Sequence, residues 1–196
     1  MRSRRIVIAL LALLAAAPAA AEVFLSQREA LALAFPGADR IEKKSVVLHE
    51  SQVRAVERLS GAELESKLVT LHQGYRGEEL LGTALIDVHT VRTLPEAFLV
   101  VLSPDGHVTA LRMLAFYEPS EYKPTGRFLA QFDQRTLGPE LRLGGAIHGI
   151  AGSSLSSRAV TSGVRRSLAL YQVLVRGEGD AVALGSPPAP AGAGGR

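Results

Sequence analysis

The middle of the chain alternates between apolar and polar positions in the way that β-strands do. Residues 66–75 form one candidate strand, and residues 82–91 alternate most regularly, with apolar side chains on one face and polar ones on the other. Residues 98–102 are apolar throughout, which is typical of a central strand. Ser103-Pro-Asp-Gly106 is a turn signal and residues 107–116 again have a strand pattern, so this region is predicted to be a β-hairpin.

Helix signals flank this strand-rich region. Ser26 and Glu29 have the spacing of a capping box, which predicts a helix that begins there and ends at Phe35, before a Pro-Gly pair. The pattern further predicts a strand-like run at 45–49, a helix at 51–60 that stops at Gly61, a loop at 118–124 and a short helix at 127–132.

The last helix is predicted to follow a small, hydroxyl-rich stretch, Gly149-Ile-Ala-Gly-Ser-Ser-Leu-Ser-Ser-Arg158. We expect these residues not to pack a core, but to let the backbone approach an anion and to place hydroxyls at a helix N-terminus. Five arginines and no acidic residue lie between Glu140 and Glu178. Two interpretations remain open, a phosphate-binding helix start and a Ser-capped helix with a solvated basic face. The apolar face of this helix is predicted to consist of Leu155, Ala159, Val164, Leu168 and Tyr171.

The two ends of the chain differ from the rest in composition. Three arginines precede an apolar run at 6–17, and Ala19-Ala-Ala21 has the form of a cleavage site, so residues 1–21 are predicted to be a signal peptide. The run is shorter than the roughly 20 residues that span a bilayer, which makes an uncleaved anchor the less favoured alternative. Residues 177–196 are rich in Gly, Pro and Ala and are predicted to be a disordered tail.

Charge and cysteine content exclude several classes of function. The chain has 22 Lys and Arg against 19 Asp and Glu, but three of the arginines belong to the predicted signal peptide, so the mature protein has no net formal charge. This argues against a nucleic-acid partner, which a basic surface would bind. The absence of cysteine excludes disulfides, thiolate metal sites and iron–sulfur clusters, so a redox role would need an organic cofactor or a non-thiolate metal.

The sequence His148-Gly-Ile-Ala-Gly-Ser-Ser154 resembles the flavinylation motif of the FMN-binding domain family. That family includes the covalent-flavin subunits of the Rnf and Na⁺-pumping quinone oxidoreductase complexes. Its usual pattern is Asp, a small residue, Ile or Val, Ser or Thr, Gly, Ala, then Thr or Ser, followed by a Leu-Thr/Ser-Ser-Arg/Lys helix start. The resemblance extends over roughly residues 75–172. His148 and Ser153 depart from it, since they stand where the family has Asp and Ala.

The resemblance implies an exported electron-transfer protein, in the periplasm or on the outer face of the cytoplasmic membrane. FMN would be attached by a phosphoester after a flavin transferase moves it from FAD, and the redox partners would be proteins, including membrane-bound proteins or cytochromes. The implied cofactor residues are Ser154 as the attachment site, the motif residues His148, Gly152, Ser153, Leu155, Ser156, Ser157 and Arg158, and the loop residues Tyr117, Glu118 and Tyr122.

The predicted fold is α+β, a single mixed or mainly antiparallel sheet with packed helices, the last of which begins at the flavin-phosphate site. Residues 22–74 are expected to form an N-terminal layer of the same domain, and residues 75–176 the FMN-binding part. One alternative function is a degenerate module that binds flavin or another phosphate ligand non-covalently, without a redox role, which the residues at 148 and 153 favour. A serine hydrolase is another, although Gly-x-Ser-x-Gly is absent and Ser154 does not begin a Ser-x-x-Lys sequence.

One pair of residues has the chemistry of metal ligands. Asp87 and His89 share one face of a predicted strand and could contribute two ligands. No third ligand has a recognisable spacing, so we expect an exposed polar strand face there and no metal site.

Overall fold

The computed structural model describes residues 22–177. The predicted signal peptide, and the predicted tail from residue 178 onward, lie outside the described residues. The strands are β1 (Glu22–Val23), β2 (Arg40–Val47), β3 (Leu68–Arg76), β4 (Glu79–Thr90), β5 (Pro95–Leu102) and β6 (Val108–Phe116). The α-helices are α1 (Gln27–Ala34), α2 (Glu50–Ser60), α3 (Gly126–Leu129) and α4 (Ser154–Leu174), with 3₁₀ turns at Ser120–Tyr122 and Ala130–Phe132.

The strands form one antiparallel sheet in the order β1-β6-β5-β4-β3-β2. This confirms the predicted α+β class with a single, mainly antiparallel sheet. The predicted hairpin of β5 and β6 is present, and Gly106 in its turn has a φ of 88°. β2 begins at Arg40, five residues before the predicted strand, because its pairing with β3 extends over residues that are almost all exposed and therefore lack a strand-like apolar pattern.

The local helix signals are confirmed at α1 and α2. Ser26 caps α1 with both hydrogen bonds of the capping box, and the helix ends at Phe35. α2 stops at Gly61, whose left-handed backbone conformation suits a residue without a Cβ. Within residues 22–177, no helix has both the length and the apolar character needed to cross a membrane.

The sheet has a core on each face. One face packs against α2, α3 and α4, and the other against the short helix α1. Phe35 at the end of α1 lies directly over Gly74 of β3, where a Cβ would overlap its ring. Residues 22–74 contribute β1, β2 and most of β3 to the same sheet as the later strands, and α2 packs against α4.

The start of α4 differs from the predicted apolar face. Leu155 is 47% exposed, whereas Ser156 and Ser157 are buried, so serine does contribute to the core here. Ser157 can be buried because its hydroxyl donates to the carbonyl of Ser153 at 2.9 Å and accepts from the N–H of Ile150 at 2.9 Å. A small side chain whose hydroxyl is hydrogen-bonded within the protein can be buried at little cost.

Gly163 allows α4 to lie close to β4 and β5. A Cβ at this position would lie 2.5 Å from Phe98 Cζ and 2.8 Å from Asp87 Oδ1. We therefore expect Gly163→Ala to destabilise the fold by about 1–3 kcal/mol despite the better helix propensity of alanine. Urea unfolding would measure this. The matched control is Gly126→Ala in α3, where no atom lies within 4 Å of the added Cβ, and equal stabilities of the two variants would contradict the prediction.

Candidate functional site

The motif loop before α4 is held in place by Gln131. The side-chain oxygen of Gln131 accepts from the N–H of His148 at 2.8 Å, and its amide nitrogen donates to the His148 carbonyl at 3.0 Å. Ile147 is fully buried and anchors the loop, whereas His148 and Gly149 are exposed. Gly152 has a φ of 80°, so the chain turns sharply just before the helix. The position of Gln131 beside the motif was not predicted from the sequence.

The N-terminus of α4 has no side-chain cap. Ser153 occupies the N-cap position, but its hydroxyl donates to the carbonyl of Glu121 at 3.2 Å and makes no capping hydrogen bond. The first turn also contains no acidic residue. The N–H groups at this end of a 21-residue helix therefore lack the acceptor that an N-cap side chain normally provides, which favours an anion there.

The four serines at the start of α4 differ in accessibility. Ser153, Ser156 and Ser157 are buried, and Ser154 is exposed as the first residue of the helix. Arg158, one turn later, is also exposed. Of these four hydroxyls, that of Ser154 is therefore the one that a bulky reagent can reach from solvent.

The loop that contains Tyr117, Glu118 and Tyr122 lies beside the motif, because Ser153 bonds to Glu121. Tyr117 and Tyr122 are half-buried. The guanidinium of Arg92 lies over the ring of Tyr122, 5.1 Å from its centroid. That face of the ring is therefore already covered within the protein.

Glu118 is buried and braces the turn between β4 and β5. Its Oε1 accepts hydrogen bonds from the backbone N–H groups of Arg92, Thr93 and Leu94, at 3.1, 2.8 and 2.9 Å. Burial would raise the pKa of Glu118, but these three hydrogen bonds outweigh it and lower the pKa. The structure thus gives this carboxylate a structural role, and its contact with a flavin remains a prediction from the motif resemblance.

A cleft of about 480 Å³ lies next to the motif loop, within the usual size range of small-molecule sites. Its lining consists of Thr125, Arg127, Phe128, Gln131, His148, Gly149 and Ile150. The cleft combines one arginine, several polar groups and an apolar floor, a mixture that suits a polar aromatic ligand. Its residues on α3 and the following turn were not predicted to belong to the site.

The residues present fit the phosphate end of FMN better than its ring. The start of α4 offers an exposed hydroxyl and uncapped N–H groups, and an exposed arginine, Arg158, follows one turn later; these are groups that bind phosphate. No hydrogen bond joins the His148 ring to a motif serine anywhere in residues 22–177, so the arrangement does not resemble a Ser–His nucleophile pair.

Asp87 and His89 do not form the exposed polar face that the sequence suggested. They are buried beneath α4, where Arg166 makes hydrogen bonds of 2.7–2.9 Å to both oxygens of Asp87. His89 Nδ1 lies 2.6 Å from Asp87 Oδ1, and its Nε2 lies 2.7 Å from Glu96 Oε1. When His89 is protonated, the positive charges of His89 and Arg166 balance the two carboxylates in this cluster of four side chains. Within the described part of the chain, no group of three or more His, Asp or Glu side chains is arranged so that it could hold a metal ion.

The cluster makes stability depend on pH. Burial alone would lower the pKa of His89, but hydrogen bonds and charge from Asp87 and Glu96 raise it from 6.5 to about 9. The resulting stabilisation is fully present below pH 6.5 and is lost as the pH rises through about 9. It amounts to roughly 3 kcal/mol. Burial would likewise raise the pKa of Asp87, but His89 and Arg166 lower it, so its contribution is lost only in acid.

We therefore expect the free energy of unfolding to fall between pH 7 and pH 10. Urea denaturation across this range would measure the fall, and NMR titration of the imidazole would assign it to His89. Titration of His89 near 6.5, with no loss of stability up to pH 10, would contradict the prediction.

No protein-family model matches this chain, and no curated protein matches it. The chain is similar in structure to the one in "Crystal structure of Shewanella oneidensis NqrC", with 9% sequence identity. The similarity covers 72% of this chain and 71% of that chain, with a TM-score of 0.44. The candidate site therefore rests on the geometry of this chain and on its own motif.

Proposed function

We propose that this chain is an exported electron-transfer protein that carries FMN as a phosphoester on Ser154. The observation that carries the proposal is the accessibility of the motif serines. Of the four hydroxyls at the start of α4, that of Ser154 alone is exposed, and it lies where the motif resemblance expects attachment. The neighbouring N–H groups have no capping side chain, so they are available to the phosphate oxygens.

The attachment reaction balances with FAD as the donor. The Ser154 oxygen forms a bond to the FMN phosphorus, the pyrophosphate bond of FAD breaks, AMP leaves and the hydroxyl proton is released. A separate flavin transferase would catalyse this step, so the protein needs to present the hydroxyl and does not need to activate it. The exposed position of Ser154 on the first turn of α4 suits access by another enzyme.

The chain itself would bind and orient the cofactor. The helix N-terminus and Arg158 would neutralise the phosphate, and the cleft beside His148 offers space for the remainder of the molecule. When bound, the flavin supplies the ability to accept and release electrons. Electrons would come from and go to protein partners, for which membrane-bound redox proteins and cytochromes are candidates.

The second candidate is a module that binds flavin or another phosphate ligand without a covalent bond. His148 replaces the usual Asp of the motif, which a flavin transferase could require for recognition. The uncapped helix end would bind a phosphate group equally well in the absence of an ester bond.

Intact mass spectrometry tests the choice between these candidates. The protein should be purified from its native host, or produced together with the cognate flavin transferase. We expect a mass higher than that of the polypeptide by FMN less one water, and a yellow band that survives denaturing electrophoresis. Flavin that is released on denaturation would support the second candidate, and purification without any flavin would refute both flavin proposals.

Export is proposed from the predicted signal peptide, and N-terminal sequencing tests it. The mature protein recovered from the periplasm should begin at Glu22, because Ala19 and Ala21 form the predicted cleavage signal. Recovery of the full-length chain from the membrane fraction would instead support an uncleaved anchor.

A further inference from the structure

Among residues 22–177, the outer edge of β6 is paired at its two ends and not between them. Backbone hydrogen bonds join residues 114–116 to β1 and the two residues after it, and residues 134–135 exchange two backbone hydrogen bonds with Val108. Between these points, residues 109–113 make no backbone hydrogen bond on the outer edge to any residue in the described range 22–177. This leaves an open stretch of strand edge between two covered ends.

The open stretch has regular strand geometry. Residues 110–113 pair in register with β5, and Thr109 and Leu114 are the extra residues at the two register shifts that bound them. The edge from Val108 to Leu114 is about 20 Å long at the usual rise per residue. That length accommodates an added strand of about five residues.

A groove of about 420 Å³ follows this edge. One wall is β6 from Val108 to Arg112, and the other is formed by Gly126, Leu129, Ala130 and Asp133 on α3 and the turn after it. No residue is shared with the cleft beside His148, although both clefts border the same short helix. Two of the four residues in the facing wall, Gly126 and Ala130, are small, which leaves room for another backbone beside β6.

Arg112 gives this strand edge a specific chemical preference. Its Nε is buried and has no hydrogen-bond partner among the described residues. A buried, unpartnered donor of this kind is costly, and a carboxylate is the acceptor that pairs best with a guanidinium. Asp133 precedes Gln134, whose backbone bonds to Val108, so its negative charge lies at the Val108 end of the groove. Arg112 lies toward the other end.

Side-chain alternation defines the rest of the preference. Leu111 packs with the core on the α4 side of the sheet, whereas Arg112 pairs with Leu99, which belongs to the core on the α1 side. An added strand would alternate between the same two faces. Side chains on one face of the added strand would contact Leu129 and Ala130, and side chains on its other face would contact Arg112.

We propose that this edge binds an extended acidic segment of a partner protein, which adds to the sheet as a strand. The segment has apolar side chains toward α3 and a carboxylate against Arg112. Main-chain hydrogen bonds to residues 109–113 would supply affinity, and the carboxylate would supply specificity. The proposal does not depend on the flavin.

Fluorescence anisotropy with a labelled, blocked pentapeptide Val-Thr-Val-Glu-Val tests the proposal. We expect the peptide with Gln in place of Glu to bind about tenfold more weakly, the effect of losing one charge-assisted hydrogen bond. Arg112→Gln should lower the affinity for the Glu peptide to that of the Gln peptide, and should leave the affinity for the Gln peptide unchanged. Arg54→Gln, on the exposed face of α2, is the matched control and should change neither affinity.

Peptide N-methylation separates strand addition from simple charge attraction. In an added strand, alternate N–H groups face the sheet, so N-methylation of those positions should abolish binding while N-methylation of the others is tolerated. In NMR spectra, the peptide should shift the amide signals of residues 109–113 and 129–133. These measurements use the wild-type protein and remain informative if Arg112→Gln is poorly folded.

Several results would overturn the proposal. One is equal binding of the Glu and Gln peptides, or equal tolerance of N-methylation at every position. Another is a set of shifted amides elsewhere on the protein. If the peptide binds more tightly after truncation at Gly177, the tail of this chain, and not a partner protein, occupies the β6 edge. If the protein is a dimer that the peptide dissociates, a second copy of this chain occupies the edge.

Discussion

Ser154→Ala should abolish covalent flavin attachment altogether. The substitution removes the hydroxyl that would form the phosphoester. The helix start should keep its geometry, because the Ser154 hydroxyl makes no hydrogen bond to any residue from 22 to 177. The variant should be produced together with the cognate flavin transferase and measured by intact mass. We expect the mass of the unmodified polypeptide and an unchanged melting temperature.

Two matched substitutions test the position of the attachment. Ser154→Thr should retain covalent flavin, because threonine presents a hydroxyl at the same place. Ser153→Ala should retain it as well, since the Ser153 hydroxyl is buried and donates to Glu121. Losing that hydrogen bond should cost about 1 kcal/mol of stability. Peptide mapping that locates the flavin on Ser153 or Ser156 would show that the motif alignment is wrong by one or two residues.

Asp87→Ala should destabilise the protein by about 3–5 kcal/mol, the effect of breaking a buried ion pair on one side. Asp87 is buried, and its carboxylate pairs with Arg166 and with His89. Its removal would leave the Arg166 guanidinium facing the sheet without its carboxylate, and His89 with a single acidic partner. Chemical denaturation at pH 7 measures the change.

The matched control for Asp87 is Glu42→Ala. Glu42 pairs with Arg40 at 2.9 Å, but both side chains are about half exposed, and exposed pairs contribute about 0–1 kcal/mol. The difference between the two losses of stability therefore measures how burial changes the contribution of an ion pair at a similar distance. Similar losses for Asp87→Ala and Glu42→Ala would show that the cluster beneath α4 is not energetically distinct.

The pattern of the chain predicted most of the elements, because their signals are local. The capping box at Ser26, the glycine at Gly61 and the alternation along β4 each involve residues a few positions apart. Such signals depend on backbone conformation and near neighbours, and the tertiary structure preserved them. β2 lacked a clear signal because most of its side chains are exposed.

The position at which the last helix begins was predicted, whereas the site residues themselves stay a prediction. The motif placed a helix start at Ser153-Ser154, and α4 begins there. Which hydroxyl is accessible could not be predicted, because that depends on the loop at Glu121 and on how closely α4 packs on the sheet. The side-chain hydrogen bonds of Glu118 and of Gln131 join residues that are distant in sequence, so no local pattern indicates them.

The sequence by itself determined the α+β class, the order of the helices and of every strand except β1, and the small, hydroxylated start of the last helix, because periodicity and capping act over a few residues. Only the tertiary structure decided that Asp87 and His89 are buried and that Ser154 is exposed among buried serines. It also decided that part of the β6 edge has no backbone partner within the described residues. Alternation assigns a side chain to one face of a strand. Whether that face meets solvent or a helix depends on the packing of elements that are remote in the chain.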